Sequence, residues 1–243
     1  MKAARLSAHG GLRIEDLPKP EPAPGDALVQ VDVALADGAD LRRFRHADQS
    51  AAPFGREFCG YLDGRRVVAP GLLSGACADW VLVPAEVAAT NLLDVPIGLS
   101  SDVAALVGPL ACCLRAVGAA DVGAGETVAV LGGGPLGLLL AACVTDAGGR
   151  AIVVGEQPSY QELAVDFGAE IGDGRGADVV IEAGEIEQSS LPDTPASVRA
   201  ALGFLASGAY PWGQLITHRV LLADLPALLA DPPDDLLKAA VVP

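Results

Sequence analysis

Gly132-Gly133-Gly134-Pro135-Leu136-Gly137 carries the spacing G-x-G-x-x-G. In a chain with 29 glycines such a match takes its meaning from its surroundings. A continuous apolar run, Thr127 to Leu131, ends where the motif begins, and a helical stretch with proline in its first turn, Pro135 to Ala147, follows. The chemistry of that arrangement is anion binding. The first glycine permits a tight turn, the second lets backbone amides approach a pyrophosphate, and the third lets helix and strand pack closely. The helix N-terminus adds the positive end of its dipole. Gly132, Gly134, Pro135, Leu136 and Gly137 are therefore candidates for contacting a dinucleotide. An acidic side chain about 20 residues further on holds the ribose hydroxyls in an NAD site, and Glu156, just past the second apolar strand Ala151 to Val154, is that candidate. A carboxylate there repels a 2′-phosphate, so NAD is the expected cofactor, with NADP as the open alternative.

Other reactive side chains show no such spacing. The five cysteines, Cys59, Cys77, Cys112, Cys113 and Cys143, form no C-x-x-C pair, which argues against a zinc ribbon. Their odd number, and the absence of an apolar leader after Met1, lead to the expectation of reduced thiols in a cytoplasmic protein. The formal net charge of −15 repels phosphate backbones and makes nucleic acid an unsuitable partner. The most apolar stretch, Val128 to Val144, is broken by glycines and a proline and reads as strand plus helix, not as a membrane span.

The elements that must position the loop follow from periodicity. Residues 1–98 are β-rich: Leu28 to Val33 largely alternates at period two, and Arg66 to Ala69 and Trp80 to Val83 are short runs each ended by a proline. From Ser100 the spacing becomes helical over Ala104 to Val117, with a kink expected at Gly108-Pro109. From Glu126 the texture is β-α-β, with strands at Thr127 to Leu131, Ala151 to Val154 and Ala177 to Ala183, and helices at Pro135 to Ala147 and Tyr160 to Phe167. Residues 184–196 read as a loop. Helical patches follow at 197–206 and 223–230, and an apolar strand, Leu236 to Val242, comes last. The fold class is α/β, with a β-rich lobe and a doubly wound parallel sheet.

Several further motifs, read with the glycine loop, resemble the medium-chain dehydrogenase/reductase family in its zinc alcohol and polyol dehydrogenase branch. Met1-Lys2-Ala3-Ala4, Glu15-Asp16-Leu17-Pro18 and the proline-rich segment after it resemble the family's N-terminus. Gly38-Ala39-Asp40-Leu41 resembles the end of Cys-Gly-Thr-Asp-Leu, and Gly55-Arg56-Glu57-Phe58-Cys59-Gly60 resembles Gly-His-Glu-Phe-x-Gly. Ala104 to Leu110 resembles Ala-Ala-Leu-x-Glu-Pro-Leu, and Leu215-Ile216-Thr217-His218-Arg219 resembles a motif near the C-terminus. The resemblance implies a GroES-like catalytic domain, residues 1–118 with a return over 207–243, joined to a shortened Rossmann domain, 119–206.

It also marks departures. The family's zinc ligands, Cys, His and a Cys or Glu, are replaced by Asp37, Arg56 and Gly108, and only Glu57, an occasional ligand, remains. A guanidinium cannot ligate a cation, so no zinc and no other metal is expected. Ala39 stands where the family has its proton-relaying hydroxyl, and the four-cysteine lobe is missing. The strands that the family places after Glu182-Ala183-Gly184, which complete its nicotinamide pocket and its dimer edge, are also missing, which weakens the expectation of a homodimer. Two functions are compatible with this pattern. One is a zinc-independent NAD(P)-dependent oxidoreductase for a small alcohol or carbonyl substrate, with Asp37, Arg56 and Glu57 as candidate catalytic residues and Arg56 as the electrophile. The other is a non-catalytic relative that binds a nucleotide or a partner protein. Either way, a direct Asp37–Arg56 ion pair is expected where the metal would sit. His46 is a further candidate proton donor.

Overall fold

The computed structural model describes residues 1–7, 11–45, 52–70, 74–155, 158–188 and 194–243. In chain order its first half holds β1 (Lys2–Leu6), β2 (Leu12–Asp16), β3 (Ala27–Asp37), α1 (Gly38–Arg45), β4 (Glu57–Leu62), β5 (Arg65–Ala69), β6 (Trp80–Val83), α2 (Ala85–Asn91), β7 (Leu93–Asp94), α3 (Ser101–Ala104) and α4 (Val107–Ala119). There follow β8 (Thr127–Leu131), α5 (Pro135–Asp146), β9 (Arg150–Val154), α6 (Pro158–Asp166), β10 (Ala169–Ile171), β11 (Val179–Glu182), α7 (Ala183–Gln188) and α8 (Pro195–Ser207). The chain closes with β12 (Ile216–Leu221), α9 (Leu225–Ala230) and β13 (Lys238–Val242). Two compact units result: Met1–Gly108 with Leu215–Pro243, and Pro109–Gln214.

The first unit is organised around β3. Along one edge β3 pairs antiparallel with β6 through Ala27–Gln30 and with β13 through Ala34–Asp37. Its other edge pairs with β4, giving the sheet order β12-β13-β3-β4-β5-β7. Val29, Phe54, Phe58 and Val83 are fully buried in its core. The registers decide what comes together at the end of β3. Lys238 lies opposite Asp37 across the β13–β3 pair, and Glu57 lies opposite Leu35 across the β3–β4 pair. Asp37 and Leu35 are two residues apart and share a face, because side chains alternate along a strand. Asp37, Lys238 and Glu57 therefore point to one face, with Glu57 diagonal to Asp37, a separation that long side chains can span.

In the second unit β10-β9-β8-β11 form a four-stranded sheet, parallel throughout. The run Val128, Ala129, Val130 of β8 is buried on both faces, as a central parallel strand requires. Leu138 to Val144 of α5 are all buried as well, so this helix is apolar all round because it is enclosed, not amphipathic. The α8 helix starts with a capping box, in which the Thr194 hydroxyl accepts from the Ser197 N–H at 3.1 Å, and ends at Gly208 in the left-handed region. Phe204 then packs edge to face on Tyr210 and Trp212, Phe167 packs edge to face on Trp212 and parallel to Tyr210, and the Tyr210 hydroxyl donates to the Ala142 carbonyl of α5 at 3.3 Å.

Several expectations need correction. The expected kink at Gly108-Pro109 is instead a break at residues 105–106, and α4 starts at Val107. Pro109 thus sits in the first turn, where its missing N–H has no helical partner to lose. Residues 183–188, read as the end of a strand and the start of a loop, form α7. The three-residue β10 and the edge strand β12 are too short or too polar to stand out by periodicity. Among the described residues no strand follows β11 in this unit, so the sheet stops one strand beyond β8 on that side.

Candidate functional site

The glycine loop leaves β8 at Leu131. Gly132 has φ of +111°, a conformation that glycine adopts at no steric cost, and its N–H donates to the Val154 carbonyl of β9 at 2.9 Å. A Cβ on Gly137 would overlap the Gly132 carbonyl oxygen, so the third glycine is what lets α5 start against the loop. Gly134, the N-cap of α5, is different. A Cβ there would meet nothing within 4 Å, and no side chain caps the helix. Pro135 supplies no N–H, which leaves the Leu136 and Gly137 amides as first-turn donors without helical acceptors. Open space above Gly134 and free first-turn amides form the cradle that a pyrophosphate requires. Gly155, which could be read as a mark of NADP, has a packing explanation: a Cβ there would come within 3.0 Å of the Gly133 amide nitrogen. Cys113 is buried and its thiol lies 3.7 Å from the Leu136 carbonyl, supporting the loop from behind. Glu156 lies outside the described residues, and so does His46.

The second set of candidates gathers around a residue the sequence reading passed over. The Lys238 ammonium lies 2.6 Å from Asp37 Oδ2 and 2.9 Å from each oxygen of Glu57. Lys238 is 1% exposed, against 17% and 13% for the side chains of Asp37 and Glu57. The ion pair of Asp37 is thus formed with Lys238, in place of the expected direct pair with Arg56. Arg56 acts on Asp37 through its charge. The signal for Lys238 was present in the sequence: it is the single charge in the otherwise apolar run Leu236 to Val242.

The charges in this cluster balance. Burial pushes Asp37 up, but the ammonium of Lys238, the Ala39 N–H and the charge of Arg56 outweigh it and hold Asp37 below the usual carboxylate range. Burial pushes Lys238 down, and the charges and hydrogen bonds of Asp37 and Glu57 more than reverse that, so the ammonium stays protonated. Burial, together with the charge of Asp37, pushes Asp40 up to about 7. Burial pushes Glu57 up to about 7 as well, with Lys238 opposing. Both oxygens of Glu57 face an ammonium, which is the geometry of an ionised group. Asp40 is 4% exposed, and its Oδ1 has no hydrogen-bond partner. Asp40 is therefore the acid that keeps its proton. With Asp37 and Glu57 negative and Lys238 and Arg56 positive, the group is neutral.

This donor set does not fit zinc. Of the positions that the resemblance assigns to the metal, Gly108 offers no donor, Arg56 is a cation, and Asp37 is already bonded to a cation. Among the described residues no trio of His, Cys, Asp and Glu is gathered to hold a metal.

Known proteins agree with this reading of the fold. No family model matches the chain. It is 28% identical to a sorbitol dehydrogenase of Halalkalibacterium halodurans over 242 aligned positions, which cover 75% of this chain and 69% of that protein. Since 242 positions draw on only 75% of the 243 residues, the alignment runs through gaps in this chain. Among solved structures, alcohol dehydrogenase TADH from Thermus sp. ATN1 superposes with a TM-score of 0.83 at 20% identity, covering 100% of this chain and 99% of that one. Acetophenone reductase from Geotrichum candidum, solved in complex with NAD, superposes with a TM-score of 0.81 at 15% identity, covering 100% of this chain and 97% of that one. The chain is thus similar in sequence to a sorbitol dehydrogenase and shares the fold of alcohol dehydrogenases, a GroES-like unit and a Rossmann-like unit. Among the described residues no helix is long and apolar enough to cross a membrane.

Proposed function

We propose that this protein is a nicotinamide-dependent oxidoreductase for a small alcohol or carbonyl compound, working without a catalytic metal. The observation that carries the reading is the glycine loop. Its Gly134 keeps an open face over the first turn of α5, whereas Gly132 and Gly137 are fixed by their own backbone packing. Close approach of a pyrophosphate to the helix end requires such a bare position. When bound, the cofactor supplies the hydride chemistry. The chain's own part is to hold the pyrophosphate on the amides of Leu136 and Gly137 and to present charge to the substrate oxygen. Lys238 cannot present it, because its three N–H groups already face three oxygens. Arg56 is the candidate cation for that role, and burial keeps Asp40 protonated up to about pH 7. NAD is the favoured cofactor, on the acidic residue Glu156.

Fluorescence titration with NADH and NADPH, followed by carbonyl-reduction assays in a chelator, tests this reading. Saturable NADH binding and chelator-resistant turnover are expected. Failure to bind either nucleotide would end the proposal. The saturated ammonium of Lys238 and the sheet that stops at β11 favour a second reading, a nucleotide-binding protein without turnover. NADH binding with no reduction of any carbonyl class would select it. In both readings the contacts retained are those to the adenosine and pyrophosphate, so ADP-ribose should bind within about threefold of NAD, less than 1 kcal/mol apart.

A further inference from the structure

The end of β3 holds a cation that belongs to the chain itself. Three carboxylate oxygens from Asp37 and Glu57 surround the Lys238 Nζ at 2.6 to 2.9 Å, and the ammonium has no N–H left over. The residues come from far apart, 201 and 181 positions in sequence, and are joined only through the β13–β3–β4 registers. Lys238 is enclosed, while the carboxylates keep a small exposed edge. Oxygen donors of this kind suit hard divalent cations, and Mg²⁺ or Mn²⁺ is commonly held by one or two carboxylates with water completing its shell.

We infer that Lys238 is a tethered cation occupying a divalent-cation position, so that the unmodified protein excludes metal and a chain lacking this ammonium takes one up between Asp37 and Glu57. The physical reason is charge. Removing the ammonium leaves two buried carboxylates facing one space, and they must then either take up protons or hold another cation. In this view the chain kept the electrostatics of a metal-type site and exchanged a diffusible ion for one fixed by the C-terminal strand. The inference does not depend on the reading of the protein as an oxidoreductase.

The test compares Mn²⁺ binding, read from the loss of the free-ion EPR signal, in the unmodified protein and in a Lys238→Ala variant, both stripped with chelator. The variant should bind one equivalent at least about tenfold more tightly than the unmodified protein, and its melting temperature should rise with Mn²⁺. Adding Asp37→Asn should remove both effects. Should Lys238→Ala not fold in chelator, it is refolded with Mn²⁺ and, separately, with methylammonium, which supplies the missing ammonium group. Recovery of a cooperative melt in Mn²⁺ supports the inference. Stoichiometric Mn²⁺ uptake by the unmodified protein, a folded variant that takes up none, or a variant that stays unfolded in Mn²⁺ overturns it.

Discussion

Between Gly132 and Gly137 the groups offered to a ligand are backbone amides, and side chains are absent where the ligand must come close. Around Lys238 the groups are charged side chains, drawn from three strands and enclosed. The first site is therefore tolerant of its surroundings but intolerant of a single added methyl group. The second is insensitive to small changes of shape but depends on every charge being matched. The two sites should fail in different ways when altered, one by losing ligand and the other by losing the fold.

The largest effect belongs to the buried charges. Lys238→Ala should lower stability by about 3–5 kcal/mol, because Asp37 and Glu57 are left facing each other without a cation. Lys238→Met combined with Asp37→Asn and Glu57→Gln should recover most of that loss, since what destabilises is the unmatched charge and not the absent bonds. Urea unfolding of the two variants decides the matter. Equal midpoints would show that the cluster stabilises through packing alone and that the balance of charge is irrelevant.

At the loop the comparison sharpens in another direction. Gly134→Val adds its side chain to open space, so the melting temperature should be unchanged while NADH binding weakens by about a hundredfold, roughly 2.7 kcal/mol. Gly137→Ala drives a Cβ into the Gly132 carbonyl and should lower stability before any ligand is added. If Gly134→Val binds NADH normally, the dinucleotide does not lie on this helix end.

The two sites also differ in how far the sequence reveals them. Every determinant of the loop lies between Thr127 and Ala147: an apolar strand, glycines at fixed offsets, a proline in the first helical turn. Local chemistry suffices to read it. The cluster is set by strand register, and nothing in residues 37, 57 or 238 by itself states that β13 pairs with β3 so that Lys238 meets Asp37. Family resemblance marked the positions of Asp37 and Arg56, but it described a metal site, and the replacement cation came from a strand that carries no motif. The resemblance places Asp37 and Arg56 around one metal ion with opposite charges, and that is the basis on which Arg56 is expected as the partner of Asp37. The elements missed are of the same kind. Three-residue β10 is held by β9, with Arg150 and Glu170 paired at 2.6 Å across that edge, and neither strand length nor alternation announces it.

The smallest effect concerns the proton on Asp40. Its carboxyl ionises near 3.8 when the chain is unfolded and near 7 when folded, where burial and the charge of Asp37 oppose ionisation and the charges of Arg56 and Lys238 only partly offset them. Between those values the folded protein keeps a proton that the unfolded chain has released, so stability falls as pH rises through the interval and levels off above it. Glu57, whose two oxygens accept from Lys238, is ionised in this interval and adds nothing to the slope. Asp37, held low, contributes stability that is lost only as pH falls below the ordinary aspartate range, and the contribution of Lys238 is lost only in strong alkali. Neither interferes near neutrality. Asp40→Asn removes the titrating proton while keeping the shape. Relative to the unmodified protein, the variant should therefore gain about 1–2 kcal/mol between about pH 5 and about pH 8, less than the full linkage value because the exchanged amide must still find partners. Chemical unfolding at both pH values measures it. Parallel pH profiles for the two proteins would mean that Asp40 is ionised in the folded state, and the cluster would then carry a net negative charge in place of the neutrality derived from its geometry.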